Sequence, residues 1–279
     1  MPLRAKPPEE IQTRAKIFLF GEAGVGKTTA ACQFPDNYIV DGEKGSNHYA
    51  DAINASRSQV FQSNDMEELI EEVRALRSTR HNFKTLTIDP ITPFGVDYLE
   101  KAEHRVGTEW GRHYGELNKV MKRLMNLLNA LDMNVIMTAH AKNEYGDGMK
   151  KIGMTFDGWK NLDYEFDLVI ELQRRGAKRV GVVRKSRLRS FPDGEVFNWS
   201  YEELQQRYGP ALDAESQPVE LATAEQVADI VKLLQAVKLP EGTVEKWWKK
   251  AQVDRWEDMP AANVAKCIEH CRKQIKEVA

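Results

Sequence analysis

The stretch GEAGVGKTT, residues 21–29, combines three glycines, one lysine and two threonines at a spacing that suits one kind of chemistry. Glycines let the backbone turn its N–H groups inward around phosphate oxygens. Lys27 is placed to reach β- and γ-phosphates, and Thr28 to set a hydroxyl on Mg²⁺. The residues match the GxxxxGKT phosphate-binding loop in full. Gly21, Glu22, Ala23, Gly24, Val25, Gly26, Lys27, Thr28 and Thr29 are therefore the expected nucleotide cradle. An apolar strand, KIFLF, precedes the loop and a short helix follows, whose N-terminus adds partial positive charge.

Two further carboxylate positions belong to the same chemistry. TLTID ends an apolar strand on Asp89, where a carboxylate can hold the Mg²⁺ water shell beside Thr28. The alternative is a strand-end Asp in a turn before Pro90. YIVDGEKG, residues 38–45, ends a second strand on Asp41 and Glu43. In a parallel sheet the C-terminal strand ends meet at the ligand crevice, so Glu43 is a candidate to polarise an attacking water. Spacing alone equally allows a solvated turn there.

These residues need an α/β frame. Short apolar strands alternate with helical segments, which predicts a mainly parallel sheet. Strands are expected at 16–20, 38–41, 58–62, 85–89 and 134–140, and a helix from 64 to 78 behind an Asn64 cap. Leu117 through Leu131 form one apolar helical face. Residues 141–165 contain four glycines and no clear period, and read as a long functional loop. Two paired strands around Gly176 follow, then a last short one at 195–199. Residues 1–208 are expected to form this core, 209–220 a linker, and 221–279 a small three-helix domain. A Thr223–Gln226 capping box opens that domain. Trp247, Trp248 and Trp256 read as its interior, and Cys267, His270 and Cys271 as helix residues rather than a metal knuckle.

Between Glu171 and Asp193 there are eight Lys and Arg and no acid. Like charges at that density repel unless an anion meets them. A phosphate of bound nucleotide, a nucleic-acid backbone and plain solvent are all compatible with the pattern.

The segments GEAGVGKTT, YIVDGEKG, TLTIDP and VIMTAH together resemble the RecA-type ATPase core. In particular they resemble the phage single-strand annealing (Sak-type) recombinases of that class. The resemblance spans roughly residues 16–209. It implies ATP and Mg²⁺ as cofactors, Glu43 as water activator, Asp89 as the second metal-site carboxylate and His140 as γ-phosphate sensor. It implies ATP at the interfaces of a homo-oligomer, with Lys185 and Arg187 of RKSR completing a neighbour's site. It also implies single-stranded DNA held by the loops after the Asp89 and His140 strands. In the second loop Lys142, Lys150, Lys151 and Lys160 would track phosphates and Trp159 would stack a base. The chain lacks the N-terminal polymerisation helix of the bacterial recombinase, so a filament does not follow.

Composition sets the outer bounds. The chain has 279 residues, a net charge of -2, 42% hydrophobic and 29% charged residues. No stretch reaches membrane-span length, no secretory signal is visible, and three cysteines make no disulfide framework, so a cytoplasmic protein is expected. Overall charge does not point to nucleic acid; only local clusters do. The expected activity is Mg-dependent ATP hydrolysis coupled to annealing or pairing of single-stranded DNA, with a single-strand binding protein as a candidate partner of the tail. The rivals are an ATP switch acting through protein contacts, such as a helicase loader, and a small-molecule kinase. In a kinase Glu43 as water activator would be counterproductive.

Overall fold

Strand β1 (Lys16–Gly21) is buried at every position, because both faces of the sheet around it are covered. In this computed structural model, residues 14–146, 148 and 150–278 are described. The sheet continues through β2 (Asn37–Asp41), β3 (Gln59–Gln62), β4 (Thr85–Asp89) and β5 (Asn134–Tyr145). β6 (Lys151–Asp157), β7 (Leu168–Arg175), β8 (Lys178–Ser186) and β9 (Val196–Asn198) complete it. The order is β3-β2-β4-β5-β1-β7-β8-β9, with β6 paired to β5 off that path. β3 through β7 in this order run parallel, and β8, β9 and β6 are antiparallel additions.

Alternation along β1 divides the interior. Phe18 and Phe20 join Val40, Leu86, Ile88, Val135 and Met137 in one core cluster, while Ile17 and Leu19 join Ile136, Leu168 and Ile170 in the other. The second face is covered by α1 (Lys27–Ala31) and α7 (Tyr201–Tyr208). The first face is covered by α3 (Met66–Ser78), α4 (Thr92–Val106) and α5 (Arg112–Ala130), with α2 (Ala50–Ala55) beyond the β2–β3 edge. The cap of α3 is Asp65 rather than Asn64: its Oδ1 accepts from the amides of Glu67 and Glu68 at 2.8 and 3.1 Å. Both residues are competent caps, and tertiary placement of the chain entry selects the second.

The end of α5 fixes its direction. Lys16 Nζ, fully buried at the start of β1, donates to the carbonyls of Leu128, Leu131 and Met133 at 2.7, 3.1 and 3.0 Å. Burial pushes this ammonium down to about 7. Higher up, Arg123 pairs with Glu67 in the first turn of α3, just past the C-terminal end of β3. The 19 residues of α5 reach about 28 Å at 1.5 Å each. The six residues of β1 span about 20 Å. The start of α5, and the α4–α5 corner before it, therefore project beyond the C-terminal edge of the parallel strands.

Residues 141–165, expected as a loop, instead form a hairpin. β5 runs on past His140 to Tyr145 and pairs antiparallel with β6, followed by the short α6 (Leu162–Glu165). These strand residues are mostly solvated, so no alternation of apolar residues marks them in sequence.

After a 3-10 turn at Gly209–Asp213, whose Ala211 and Leu212 are buried, the chain crosses to three helices: α8 (Ala224–Ala236), α9 (Thr243–Ala251) and α10 (Ala261–Val278). The capping box is present, with Thr223 accepting from the Gln226 amide and Gln226 accepting from that of Thr223. Ile230, Trp256, Val264, Cys267 and Cys271 form the interior of this unit, with Trp247 and Trp248 packed against it.

A buried charge cluster fastens this unit to the sheet-covering helices. Asp258, 1% exposed, lies 2.7 Å from Arg74 Nε and 3.5 Å from Arg123 Nε, and its carbonyl accepts from Arg77 at 2.8 Å. Arg77 and Arg123 are themselves buried. Asp258→Ala removes the buried carboxylate from beside Arg74 and Arg123, which keep only their more exposed pairings, to Glu71 and to Glu67 and Asp254; the expected loss of stability is about 3–5 kcal/mol. Thermal denaturation of the full chain measures it; a melting temperature equal to wild type would show that the cluster does not hold the two parts together.

Candidate functional site

The site is built where β1, β2, β4 and β5 end. Lys27, the first residue of α1, folds its ammonium back onto the loop, with Nζ donating to the carbonyls of Gly21 and Glu22 at 2.9 and 3.2 Å. Burial lowers its pKa, while Asp89 and Glu43 pull it back up. α1 has only five residues, so the inward-turned loop amides, more than a helix dipole, supply the positive field.

Asp89 is buried at the end of β4. Thr138 Oγ1 donates to its Oδ1, and Thr28 hydrogen-bonds the same carboxylate. Burial nonetheless raises its pKa. A carboxylate desolvated beside a threonine hydroxyl is a donor set a divalent cation would relieve, since the cation favours the ionised form. Thr28 and Asp89 thus fit Mg²⁺, and the loop with Lys27 fits the polyphosphate it accompanies. Bound there, Mg²⁺ would neutralise phosphate charge during cleavage.

The two acids after β2 have different tasks. Asp41 is buried and organises the turn: its carboxylate accepts from the amides of Glu43, Gly45 and Ser46 at 3.0, 3.2 and 2.9 Å. Gly42 lets this turn pass tightly over β4. Its amide donates to the Asp89 carbonyl at 3.0 Å, and a Cβ there would lie 2.9 Å from both the Pro90 carbonyl and the Phe94 ring. The turn so held presents Glu43, half-exposed, toward β5. There Glu43 Oε1 lies 2.9 Å from His140 Nε2. The His140 amide is fixed by Thr92 Oγ1 at 3.0 Å. Lys27, Thr28, Glu43, Asp89 and His140 therefore converge at one edge of the sheet. Thr138 and Thr92 are additions that motif reading missed. The signal for Thr138 was period two, since it shares a strand face with His140.

A cavity of about 360 Å³ opens beside the loop, lined by Glu22, Gly24, Val25, Met154, Glu171 and Gln173 among others.

The basic stretch is split between the two ends of β8. Lys185 and Arg187 lie at the end opposite the phosphate loop, since Ser186 pairs with Leu168, which pairs with Ile17. Lys185 Nζ donates to the carbonyls of Asp163 and Phe166 at 2.7 and 2.6 Å; Arg187 donates to Asp167 at 3.1 Å and to the Tyr164 carbonyl at 2.6 Å. The structure does not bring either to the phosphate loop of its own chain. Arg184 is paired with Glu171. Arg174, Arg175, Lys178 and Arg179 remain near the loop end.

Trp159 is not available for base stacking. It is 8% exposed, and its Nε1 donates to Asn118 at 2.7 Å, so it anchors the hairpin base to α5. Its position after a glycine-rich tract gave no hint of burial. Lys142, Lys150, Lys151 and Lys160 are exposed, with Lys142 paired to Asp157 at 3.1 Å. The solvated aromatic surface is elsewhere: Tyr145 at the hairpin, and Trp110 and Tyr114 at the α4–α5 corner. Trp110 is 96% exposed and held at φ 55°, a costly left-handed conformation for a large side chain.

Among the described residues no helix is long and apolar enough to cross a membrane.

Among solved structures, the RadB recombinase matches with a TM-score of 0.42 and 20% identity, over 67% of this chain and 88% of its own. A DnaB-like replicative helicase, solved in a study of its interactions with primase, matches with a TM-score of 0.44 and 13% identity over 66% of this chain. About half of that helicase chain, 55%, is spanned. None of the curated proteins compared matches the chain. The family model described as an AAA domain matches residues 13–191, more than half of the chain and all of the site. With a mostly parallel sheet, the phosphate loop after β1 and the acid at the end of β4, the chain belongs to the AAA-domain family of P-loop ATPases, with an α/β core followed by C-terminal helices.

Proposed function

We propose that this P-loop ATPase hydrolyses Mg·ATP to act on single-stranded DNA, promoting annealing or pairing of strands in recombination. One observation carries the coupling. β5 bears His140 beside Glu43 and runs on to Tyr145 at the hairpin, in regular pairing with β6 as far as Glu144. A change at the γ-phosphate felt by His140 has a path along one paired strand into the hairpin. Exposed Lys142, Lys150 and Lys151 of the hairpin, with Tyr145, Trp110 and Tyr114 projecting beyond the same edge of the sheet, are the combination that sequence-tolerant single-strand binding uses.

ATP at the interfaces of a homo-oligomer is part of this reading. In a head-to-tail assembly the Lys185 and Arg187 end of one protomer would face the phosphate loop of the next. To act there, both side chains would exchange their own-chain carbonyls for phosphate oxygens.

Steady-state ATP hydrolysis, measured with and without single-stranded DNA at fixed salt and across protein concentrations, tests the whole proposal. Stimulation by DNA, with specific activity rising as protein concentration rises, is expected. Hydrolysis indifferent to DNA, together with no DNA binding at low salt, would favour an ATP switch working through protein contacts, for which the exposed Trp110 is the first surface to test. Specific activity independent of concentration, at levels where the protein is monomeric, would remove the shared site.

A further inference from the structure

Arg179 stands at the start of β8, paired in register with Arg174 and with its carbonyl accepting from the Trp199 amide at 3.0 Å. Its side chain lies against the phosphate loop. A Cβ built on Gly26 would fall 2.1 Å from Arg179 Nε and 2.8 Å from Cζ and Nη2. Gly26 has φ 97°, so its missing side chain serves two ends: the left-handed turn before Lys27, and room for a guanidinium. Among the described residues that guanidinium makes no ion pair with a carboxylate, although the basic groups farther along β8 are matched to acids or carbonyls. Its Nε is buried and has no hydrogen-bond acceptor among the described residues. An arginine donor buried without a partner is costly and calls for an explanation.

The position narrows what the partner is. Asp89, Glu43 and His140 approach the loop from the β4–β5 side of β1. Arg179 comes from the other side, across β7. The β4–β5 side holds the residues suited to Mg²⁺ and the γ-phosphate. A nucleotide seated in the loop has its α-phosphate and sugar left to be held from another direction. A planar fork of donors beside Gly26 matches phosphate oxygens in geometry and charge.

We infer that Arg179 is a nucleotide-binding residue supplied by the same chain, which grips the α-phosphate side of the bound nucleoside polyphosphate across Gly26. This inference rests on the phosphate-loop reading and names a residue outside its motif. It gives the loop-end half of the basic stretch a purpose separate from that of Lys185 and Arg187. Because the contact is away from the γ-phosphate, ADP and ATP should depend on it alike.

Calorimetric titration of the full-length protein with Mg·ADP and with a Mg-bound non-hydrolysable ATP analogue tests it, comparing wild type, Arg179→Gln and Arg179→Lys. Arg179→Gln keeps much of the stem and loses the charge; its affinity for both nucleotides should fall about tenfold or more. Arg179→Lys keeps the charge, preserves the packing of the stem and should recover part of the loss. Its melting temperature should equal that of wild type, so it reports on binding even if the glutamine variant is poorly folded. Affinities of both variants within twofold of wild type would overturn the inference while leaving the phosphate loop intact. A loss confined to the ATP analogue would overturn the assignment to the α-phosphate side. If wild type itself binds neither nucleotide, the phosphate-loop reading falls and this inference with it.

Discussion

Lys27→Ala removes nucleotide binding. The ammonium is the only lysine charge inside the phosphate loop, and its present partners are two backbone carbonyls, at 2.9 and 3.2 Å. These are neutral acceptors that a phosphate outcompetes, because hydrogen bonds between ionised partners are about twice as strong as neutral ones. Burial has already lowered the pKa of this lysine, so a bound polyanion gains a partly desolvated cation at little further solvation cost. The expected effect is a loss of affinity of about a hundredfold or more, and with it the loss of turnover. The fold should survive, since the side chain makes no contact that the core depends on. Thermal shift reports both at once. Ligand at about a hundred times its dissociation constant stabilises wild type by about 2.7 kcal/mol. The variant should melt like ligand-free wild type and gain nothing from Mg·ATP. Retained turnover in the variant would sink the phosphate-loop assignment.

Glu43→Gln separates binding from chemistry. The turn that carries Glu43 is held by Asp41 and by the Gly42–Asp89 hydrogen bond, neither of which involves the Glu43 side chain. A glutamine there keeps the shape of the turn and can still meet His140, but it cannot take a proton from water. A positioned general base contributes about 10²–10⁴ in rate, so kcat should fall by that much. Binding of Mg·ATP should stay within a fewfold, because the loop with Lys27 and Thr28, which would hold the phosphates, is unchanged. Single-turnover hydrolysis with measured binding distinguishes the two effects. Turnover equal to wild type would remove Glu43 as the activator of water, and leave its pairing with His140 as a purely structural contact.

The sequence by itself determined the nucleotide cradle, since GEAGVGKTT specifies a backbone shape through its glycines and a charge through its lysine. It also determined the strands that carry Asp89 and His140, because strands buried on both faces must be continuously apolar. It determined the first tail helix through a local capping box. Each of these signals is local: a turn, a period or a cap within a few residues. What only the tertiary structure decided is every meeting of residues far apart in the chain. Asp41 and Glu43 look alike in sequence, and only the fold over β4 makes one the organiser of a turn and the other the partner of His140. The glycine-rich tract after His140 reads as a loop, because a solvated hairpin needs no apolar alternation. Trp159 reads as a stacking platform until α5 is seen to cover it. The basic stretch reads as one patch, and strand direction splits it between two ends of the sheet. Asp258, one acid among nine in residues 221–279, shows nothing of its burial among three arginines. These placements depend on register and packing, which sum over many distant contacts and leave no mark at any single position.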